Sequence, residues 1–176
     1  NNGTITGGEN GVGNFNFQDP TTVLINSGTI AGGQSGILSP FGRFMGTVAN
    51  QGTGAITGGI SAILNIGTIT TLTNSGVITG TSEYGINNFN QFATITTLTN
   101  QAGGVITGGL GGIRNGGTIT TLTNGQGGNA SSAATTALSY SGTLSVNYNI
   151  QLASATQYGQ IVFSNAGGSA NIGVVA

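Results

Sequence analysis

The sequence predicts an all-β fold: a right-handed, single-stranded parallel β-helix, or β-solenoid, closed at its C-terminal end by a β-hairpin cap. One Asn recurs at a nearly constant spacing, and aliphatic residues recur in step with it. Thr, Ile, Val and Gly are abundant and good helix formers are scarce, which favours strands over helices. Together these features predict a chain wound through about 24 residues per coil.

The repeat is most visible in its Asn residues. Successive members of the series are separated by 24, 24, 24, 26 and 24 residues: Asn2, Asn26, Asn50, Asn74, Asn100 and Asn124. A coil of this length, broken by corners containing Gly or Asn, has room for three short strands and predicts a triangular cross-section. Stacked Asn amides hydrogen-bond along an axis, and Asn tolerates corner conformations, so we expect a structural Asn ladder. A second, shorter ladder is predicted at Asn65, Asn88 and Asn115.

The predicted core consists of aliphatic columns that repeat from coil to coil. Their members are Met45, Ile69, Ile95 and Ile119; Leu24, Val48, Leu72, Leu98 and Leu122; Ile30, Ile56, Ile78 and Ile106; and Ile37, Ile63, Ile86 and Ile113. Neighbouring Thr residues alternate with these positions, as the pleat of a strand requires. The aliphatic side chains are therefore expected to point inward and the Thr side chains outward.

The pattern changes after Asn124, which predicts two parts: solenoid repeats over residues 1–127 and a β-rich cap over residues 128–176. Apolar and polar residues alternate strictly from Leu144 to Leu152, which predicts one strand. A turn at 154–159 would return the chain as a second strand at 160–163, forming a hairpin. Such a unit would cover the open, unpaired end of the solenoid.

The composition excludes several classes of function. The chain has two Arg and three acidic residues, with no Lys, His or Cys. Two cations are too few for the phosphate contacts on which nucleic-acid affinity depends. The nucleophile and base pairs of Ser-His, Cys-His and Schiff-base catalysis are missing, as are His and Cys ligands for zinc. No run of apolar residues is long enough for a membrane-spanning helix.

The three acidic residues are Glu9, Asp19 and Glu83, which the repeat places in corners of different coils. Glycoside hydrolysis needs a pair of carboxyl groups, one on each side of the glycosidic bond that is cleaved. Acidic residues in corners of different coils do not predict such a pair. We therefore expect no enzymatic activity, no cofactor and no metal site. The chain does not open on a leader sequence, which predicts an internal fragment or a processed form.

Coils of the type N-x-G-x-I-x-G over residues 1–127 are followed by SGTLSVNYNIQL at 141–152 and SATQYGQIVF at 154–163. This combination resembles the passenger of Gram-negative autotransporter adhesins, which are exported by type V secretion. The resemblance implies a β-helix carried to the bacterial cell surface, with residues from about 130 to 176 as an autochaperone-type cap. It also implies a membrane contact only through a translocator that would follow Ala176.

By this resemblance the chain is an extracellular, non-enzymatic structural or adhesive segment. Its partners would be a host or neighbouring cell surface, through a glycan or a protein ligand. A self-assembling surface filament is an alternative, because the first coil is unprotected and the nearly uncharged surface offers little repulsion against self-association.

Ice binding is a further alternative, suggested by Thr residues that recur in three coils. The candidate outward ladder consists of Thr68, Thr70, Thr94, Thr96, Thr118 and Thr120. A flat, uncharged Thr array resembles the ice-binding face of hyperactive antifreeze proteins. Thr is also a good strand former that lines the outside of many solenoids, so the array has a purely structural interpretation as well.

The longest departures from the repeat hold six of the seven Phe residues; they are residues 11–20, 39–44 and 84–92. We expect these segments to protrude from one side of the rod. Aromatic side chains on protruding loops contact ligands in many proteins, but a Phe in a widened corner also packs locally. The sequence leaves both interpretations open.

Overall fold

The protein was analysed as a computed structural model that describes residues 1–13, 21–127 and 136–176. In these ranges the chain forms an all-β parallel β-solenoid of about six turns, without helices, which confirms the predicted fold class. Its strands, β1 to β19 in chain order, belong to three parallel sheets.

Through β15, each successive coil contributes one strand to each sheet, and the described strands after β15 belong to sheets 2 and 3. Sheet 1 contains β1 (Thr4–Gly7), β4 (Thr29–Gly32), β7 (Ala55–Gly58), β10 (Val77–Gly80) and β13 (Val105–Gly108). Sheet 2 contains β2 (Asn10–Gly13), β5 (Ser35–Ser39), β8 (Ser61–Asn65), β11 (Tyr84–Asn88), β14 (Gly111–Asn115), β16 (Leu138–Thr143) and β18 (Ile161–Gly167). Sheet 3 contains β3 (Val23–Asn26), β6 (Phe44–Asn50), β9 (Thr68–Asn74), β12 (Thr94–Asn100), β15 (Thr118–Asn124), β17 (Asn147–Gln151) and β19 (Asn171–Val175).

The core is a set of aliphatic stacks along the axis. In sheet 1, for example, Ile56 pairs with Ile78, which pairs with Ile106. All members of the four predicted columns are buried except Leu24, which is half-buried near the N-terminal end. Removing an aliphatic side chain of this size from water stabilises the fold by about 1.5–3 kcal/mol. The stacked coils therefore share one continuous hydrophobic core.

The corner between sheets 1 and 2 requires glycine. A Cβ built on Gly58 would lie 2.0 Å from the carbonyl oxygen of Ser61, and one on Gly32 would lie 1.8 Å from that of Ser35. No side chain fits at such a distance, so the chain turns here only where no Cβ is present. The V-I-T-G ending of the repeat, in which this Gly is the last residue, follows from this close approach.

The strands after residue 136 continue the solenoid. β16 and β18 extend sheet 2, and β17 and β19 extend sheet 3, all in parallel register. The predicted hairpin is therefore wrong, because its two segments join different sheets; their antiparallel contact is a single bridge between Leu152 and Tyr158. The predicted strand at 144–152 also begins later, at Asn147.

An alternating pattern does not distinguish a hairpin strand from a strand that pairs one coil away, which explains the wrong prediction. The predicted boundary between residues 127 and 128 adjoins a segment, 128–135, that lies outside the described residues. The division into solenoid and cap stays a prediction.

Among the described residues, β13 is the last strand of sheet 1, and a side chain hydrogen-bonds to its open edge. The Oε1 atom of Gln126 accepts a hydrogen bond from the backbone N–H of Ile106 (2.8 Å), and its Nε2 atom donates to the carbonyl oxygen of Ile106 (3.4 Å). The amide of Gln126 thereby satisfies backbone groups that an edge strand otherwise leaves unpaired.

Candidate functional site

A ladder of Asn amides runs along the inside of sheet 3. The Nδ2 atom of each Asn donates to the Oδ1 atom of the next, over 2.9 Å from Asn26 to Asn50, from Asn50 to Asn74 and from Asn74 to Asn100, and over 3.3 Å from Asn100 to Asn124. The same Nδ2 atoms also donate to backbone carbonyl oxygens of the adjoining corner, such as Ala55 and Val77. The amides are buried and engaged by protein groups, so the ladder is structural.

The ends of this ladder differ from the sequence pattern. Asn1, and not Asn2, stands next to Asn26 and donates to its Oδ1 atom over 2.9 Å, whereas Asn2 is exposed. At the other end, Ile150 takes the position that follows Asn124. The spacing pointed to Asn2 because the first coil differs in length from the next two by one residue.

The second ladder lies on sheet 2. Asn65 donates to Asn88 and Asn88 to Asn115, both over 2.7 Å, and Asn115 donates to the hydroxyl of Tyr140 over 3.0 Å. The neighbour of Asn65 in the preceding coil is Ser39, whose buried hydroxyl has no hydrogen-bond partner among the described residues. This ladder therefore begins at Asn65 and ends on a tyrosine.

Two buried tyrosines close the core near the C-terminal end. Burial raises the pKa of Tyr140 to about 12, although the hydrogen bond from Asn115 lowers it somewhat. Burial also raises the pKa of Tyr148, against a smaller lowering by the nearby Asn124, and its hydroxyl completes no hydrogen bond with the described residues. Both rings contact Phe163 edge-on.

The predicted Thr ladder is formed only in part. Thr68, Thr94 and Thr118 stand in register in sheet 3. The companion residues Thr70, Thr96 and Thr120 are not among the paired positions of the sheet. They lie where the strand bends, since Ile69 and Leu72 are both buried although three residues apart.

Beyond this bend, sheet 3 presents two other Thr columns in register. Their members are Thr71, Thr97 and Thr121 in one column and Thr73, Thr99 and Thr123 in the other. Asn147 and Asn149 continue these columns in the following coil. The outer Thr array is therefore of the type T-L-T, with half-buried Thr side chains and the Leu side chain buried beneath them.

Three exposed Phe residues, Phe41, Phe89 and Phe92, lie at the corner between sheets 2 and 3. Phe41 and Phe92 are 65% and 62% exposed, and their rings meet edge to face with centroids 5.8 Å apart. Phe89, at the same corner, lies under the guanidinium of Arg114, 5.4 Å from its ring centroid. Segments 39–44 and 84–92 thus bring aromatic rings together on one side, while residues 14–20 lie outside the described residues.

A groove of about 630 Å³ opens beside this corner, toward the C-terminal end of the rod. It follows the ends of β14, β16 and β18, and its walls include Tyr84, Arg114, Thr143 and Asn165. The groove is the concave feature in which aromatic, cationic and neutral polar groups converge, which is typical of binding sites. Sequence reasoning missed it because its residues come from coils that only the fold brings together.

The two acidic residues that the structure describes, Glu9 and Glu83, lie in different coils, as the sequence suggests. Glu83 precedes β11, and its carboxylate accepts hydrogen bonds from Ser61 (3.4 Å) and Asn87 (3.3 Å). Glu9 precedes β2 and is exposed, and Asp19 lies outside the described residues. In the described ranges, no three His, Cys, Asp or Glu side chains are grouped as a metal site would require.

The described residues contain no helix of the length and hydrophobicity needed to cross a membrane. Comparisons with protein-family models, with curated proteins and with solved structures found no match to this chain. The fold thus defines the class: the chain is a repeat protein of the parallel β-solenoid type.

Proposed function

We propose that the chain is a non-enzymatic, extracellular segment of a Gram-negative surface protein, with a structural and adhesive role similar to that of an autotransporter passenger. The observation that carries this proposal is the unbroken stacking of coils through two sheets of seven strands, one of five and two Asn ladders. A rod held together in this way keeps its shape while presenting surface groups away from a membrane.

The surface of the rod supports an adhesive role. Exposed Phe rings and the groove lie beside one corner, so contact groups are concentrated on one side. Aromatic rings and Arg are the residue types that contribute most to binding surfaces. The sequence resemblance over residues 1–163 points to the same kind of protein.

The test is to determine the native reading frame on both sides of residues 1–176. We expect a leader and further coils upstream and a membrane translocator downstream. Antibodies against residues 1–176 should then label intact cells. A reading frame that stops near Ala176 without a translocator, or labelling seen only in lysed cells, would contradict the proposal.

The paired Thr columns favour ice binding as a second candidate function. Three coils present T-L-T in register, without a charged residue in the array. Replacing Thr97, in the centre, by Tyr should abolish any thermal hysteresis, because a large ring prevents a flat approach to ice. Thr81→Tyr, in an exposed corner outside the Thr columns, is the matched control. Absence of thermal hysteresis in the unmodified protein would rule this function out.

A further inference from the structure

The groove beside Arg114 holds a cation whose hydrogen-bonding capacity is only partly used. Its Nη1 atom donates to Oδ1 of Asn87 and to the carbonyl oxygen of Phe89, both over 3.1 Å. Its Nε and Nη2 atoms donate to no described residue, and no carboxylate of the described residues pairs with it directly. Asn87 separates the guanidinium from Glu83, since Asn87 donates to that carboxylate.

The position of this cation is fixed by its neighbours. Phe89 supports the guanidinium from one face, and the two Nη1 hydrogen bonds restrict its rotation. The whole sequence contains only two Arg and no Lys, so Arg114 provides a local positive charge on a nearly uncharged surface. The free edge of the guanidinium, formed by Nε and Nη2, can bind a carboxylate through paired hydrogen bonds.

Asn165, on the opposite wall, provides an independent observation. It is an extra residue in β18: Ser141 pairs with Ser164, and Gly142 pairs with Ala166. Its φ of 49° is the only positive value at a non-glycine residue in the described ranges. β-Bulges redirect side chains beside binding sites, and Asn is one of the few non-glycine residues that readily adopt the left-handed conformation this bulge requires. The bulge brings Asn165 to the groove that contains Arg114.

The remaining walls are neutral and hydrophilic. Ser141 and Thr143 contribute hydroxyl groups, Gly116, Gly167 and Gly168 leave the backbone open, and Tyr84 adds an aromatic ring. None of the described residues that line the groove has an aliphatic side chain. A peptide ligand is usually anchored by apolar side chains in apolar pockets, which this groove lacks. Hydroxyl and amide groups beside one ring are suited to a sugar.

We propose that this groove binds a carboxylate-bearing saccharide, with Arg114 holding the carboxylate and Asn165, Ser141 and Thr143 contacting ring hydroxyl groups. The inference rests on the proposed adhesive function and names the ligand class for it. The exposed Phe89, Phe92 and Phe41 continue along the same corner from the groove. A longer chain of sugars would follow this aromatic row.

The test uses purified protein and calorimetric titration with oligogalacturonate, oligomannuronate and sialyllactose. Each has an uncharged counterpart: the methyl esters of the two uronates, and lactose. At least one acidic sugar should bind, with a Kd at least about tenfold below that of its counterpart. Arg114→Gln should raise the Kd at least about tenfold. Arg43→Gln, which makes the same charge change outside the groove, should leave it unchanged.

Asn165→Gly tests the second wall, since glycine adopts the same backbone conformation without the amide. It should weaken binding and leave the melting temperature unchanged or higher. Equal binding of acidic and neutral sugars, no binding of any acidic sugar, or equal effects of the two Arg variants would overturn the proposal. Tighter binding of a Glu-rich peptide than of every sugar would overturn it in favour of an acidic protein partner.

The outcome is independent of the reading-frame test. A protein that binds acidic sugars but is encoded without a leader or translocator would refute the surface-protein proposal and leave the groove assignment standing. A surface protein that binds none of these sugars would refute only the groove assignment.

Discussion

At the scale of single residues, the buried Asn side chains hold neighbouring coils in register. Asn74 accepts a hydrogen bond from Asn50 and donates to Asn100 and to the carbonyl oxygen of Val105. Each such bond contributes about 0.5–1.5 kcal/mol net, whereas a buried partner left without one costs about 1–3 kcal/mol. A shift of one coil against the next would break these hydrogen bonds, so the ladder favours the observed register. Aliphatic side chains are interchangeable and do not fix the register in this way.

Replacing Asn74 by Ala should lower the free energy of unfolding by about 2–4 kcal/mol, because Oδ1 of Asn100 and the carbonyl oxygen of Val105 lose their donor. Urea unfolding followed by circular dichroism measures the effect. The control is Thr73→Ala, one residue earlier on the outer face, which should cost less than about 1 kcal/mol. Similar losses in the two variants would argue against a stabilising ladder.

The buried phenol of Tyr140 makes the free energy of unfolding depend on pH in the alkaline range. Its pKa is raised from 10.0 to about 12, so the folded protein holds the phenolic proton more tightly than the unfolded chain does. The neutral phenol thereby contributes about 2–3 kcal/mol to the free energy of unfolding. This contribution is complete below pH 10 and is lost as the pH rises through 12. Tyr140→Phe should therefore show a smaller loss of stability between pH 9 and pH 12 than the unmodified protein.

The comparison is made by urea unfolding at several pH values. Tyr158→Phe, at a tyrosine that is 39% exposed, serves as the control and should keep the alkaline loss. If Tyr140→Phe loses as much stability as the unmodified protein, burial of this phenol is not the cause.

At the scale of strands and corners, close backbone approach decides where the chain turns. The glycines that end the sheet 1 strands stand against a carbonyl oxygen of the next strand, as Gly58 does against Ser61. At the last described strand of sheet 1, the side chain of Gln126 hydrogen-bonds to the backbone N–H and carbonyl oxygen of Ile106. The corners thus determine where each strand ends, and each strand pairs with the equivalent strands of the two adjacent coils.

Gly58→Ala should therefore be strongly destabilising, with a melting temperature lowered by at least about 5 °C, because an added Cβ would lie 2.0 Å from the Ser61 carbonyl oxygen. Gly8→Ala is the matched control, since a Cβ at Gly8 meets no heavy atom within 4 Å. Thermal unfolding of the two variants gives the melting temperatures to be compared. Equal melting temperatures would show that the corner relaxes easily.

At the scale of the whole molecule, each coil contacts only its neighbours, so stability is divided among equivalent repeats. In the last described coil, Phe163, Ile172 and Val174 occupy inward columns but are 44%, 64% and 66% exposed with respect to the described residues. Open strand edges and apolar ends of this kind favour stacking of further coils or of a second copy. The filament alternative predicts end-to-end particles in electron micrographs at high protein concentration.

Deleting one complete coil should preserve the fold. Removing residues 51–74 joins Asn50 to Ser75 and eliminates β7, β8 and β9, leaving every remaining column in register. Removing residues 51–62, half a coil, is the matched control and should disrupt the core, because inward and outward positions no longer stack. Circular dichroism and thermal unfolding distinguish the two. A folded half-coil deletion, or an unfolded full-coil deletion, would contradict this modular description.

Much of this architecture could be predicted from the sequence, because the repeat encodes it locally. Ile69, Leu72 and Ile78 are buried as their spacing indicates, and Asn50 and Asn74 stack as expected. Residues separated by one repeat occupy equivalent positions in successive coils. The spacing in the sequence therefore predicts which residues are in contact in the folded protein. The start of the Asn ladder was misplaced by one residue because its first coil is irregular.

The remaining features depended on which coils lie next to one another, and only the tertiary structure decided them. Alternation at 144–152 identified strand character but not its partner, so parallel pairing with β15 and β19 replaced the expected hairpin. The bulge at Asn165 and the free edge of the Arg114 guanidinium line one groove because the fold brings residues of different coils together. The period of the sequence therefore determines the repeated core and the Asn ladders. The groove consists of residues that depart from the repeat, such as Arg114 and Asn165, and only the packing of the coils brings these residues together.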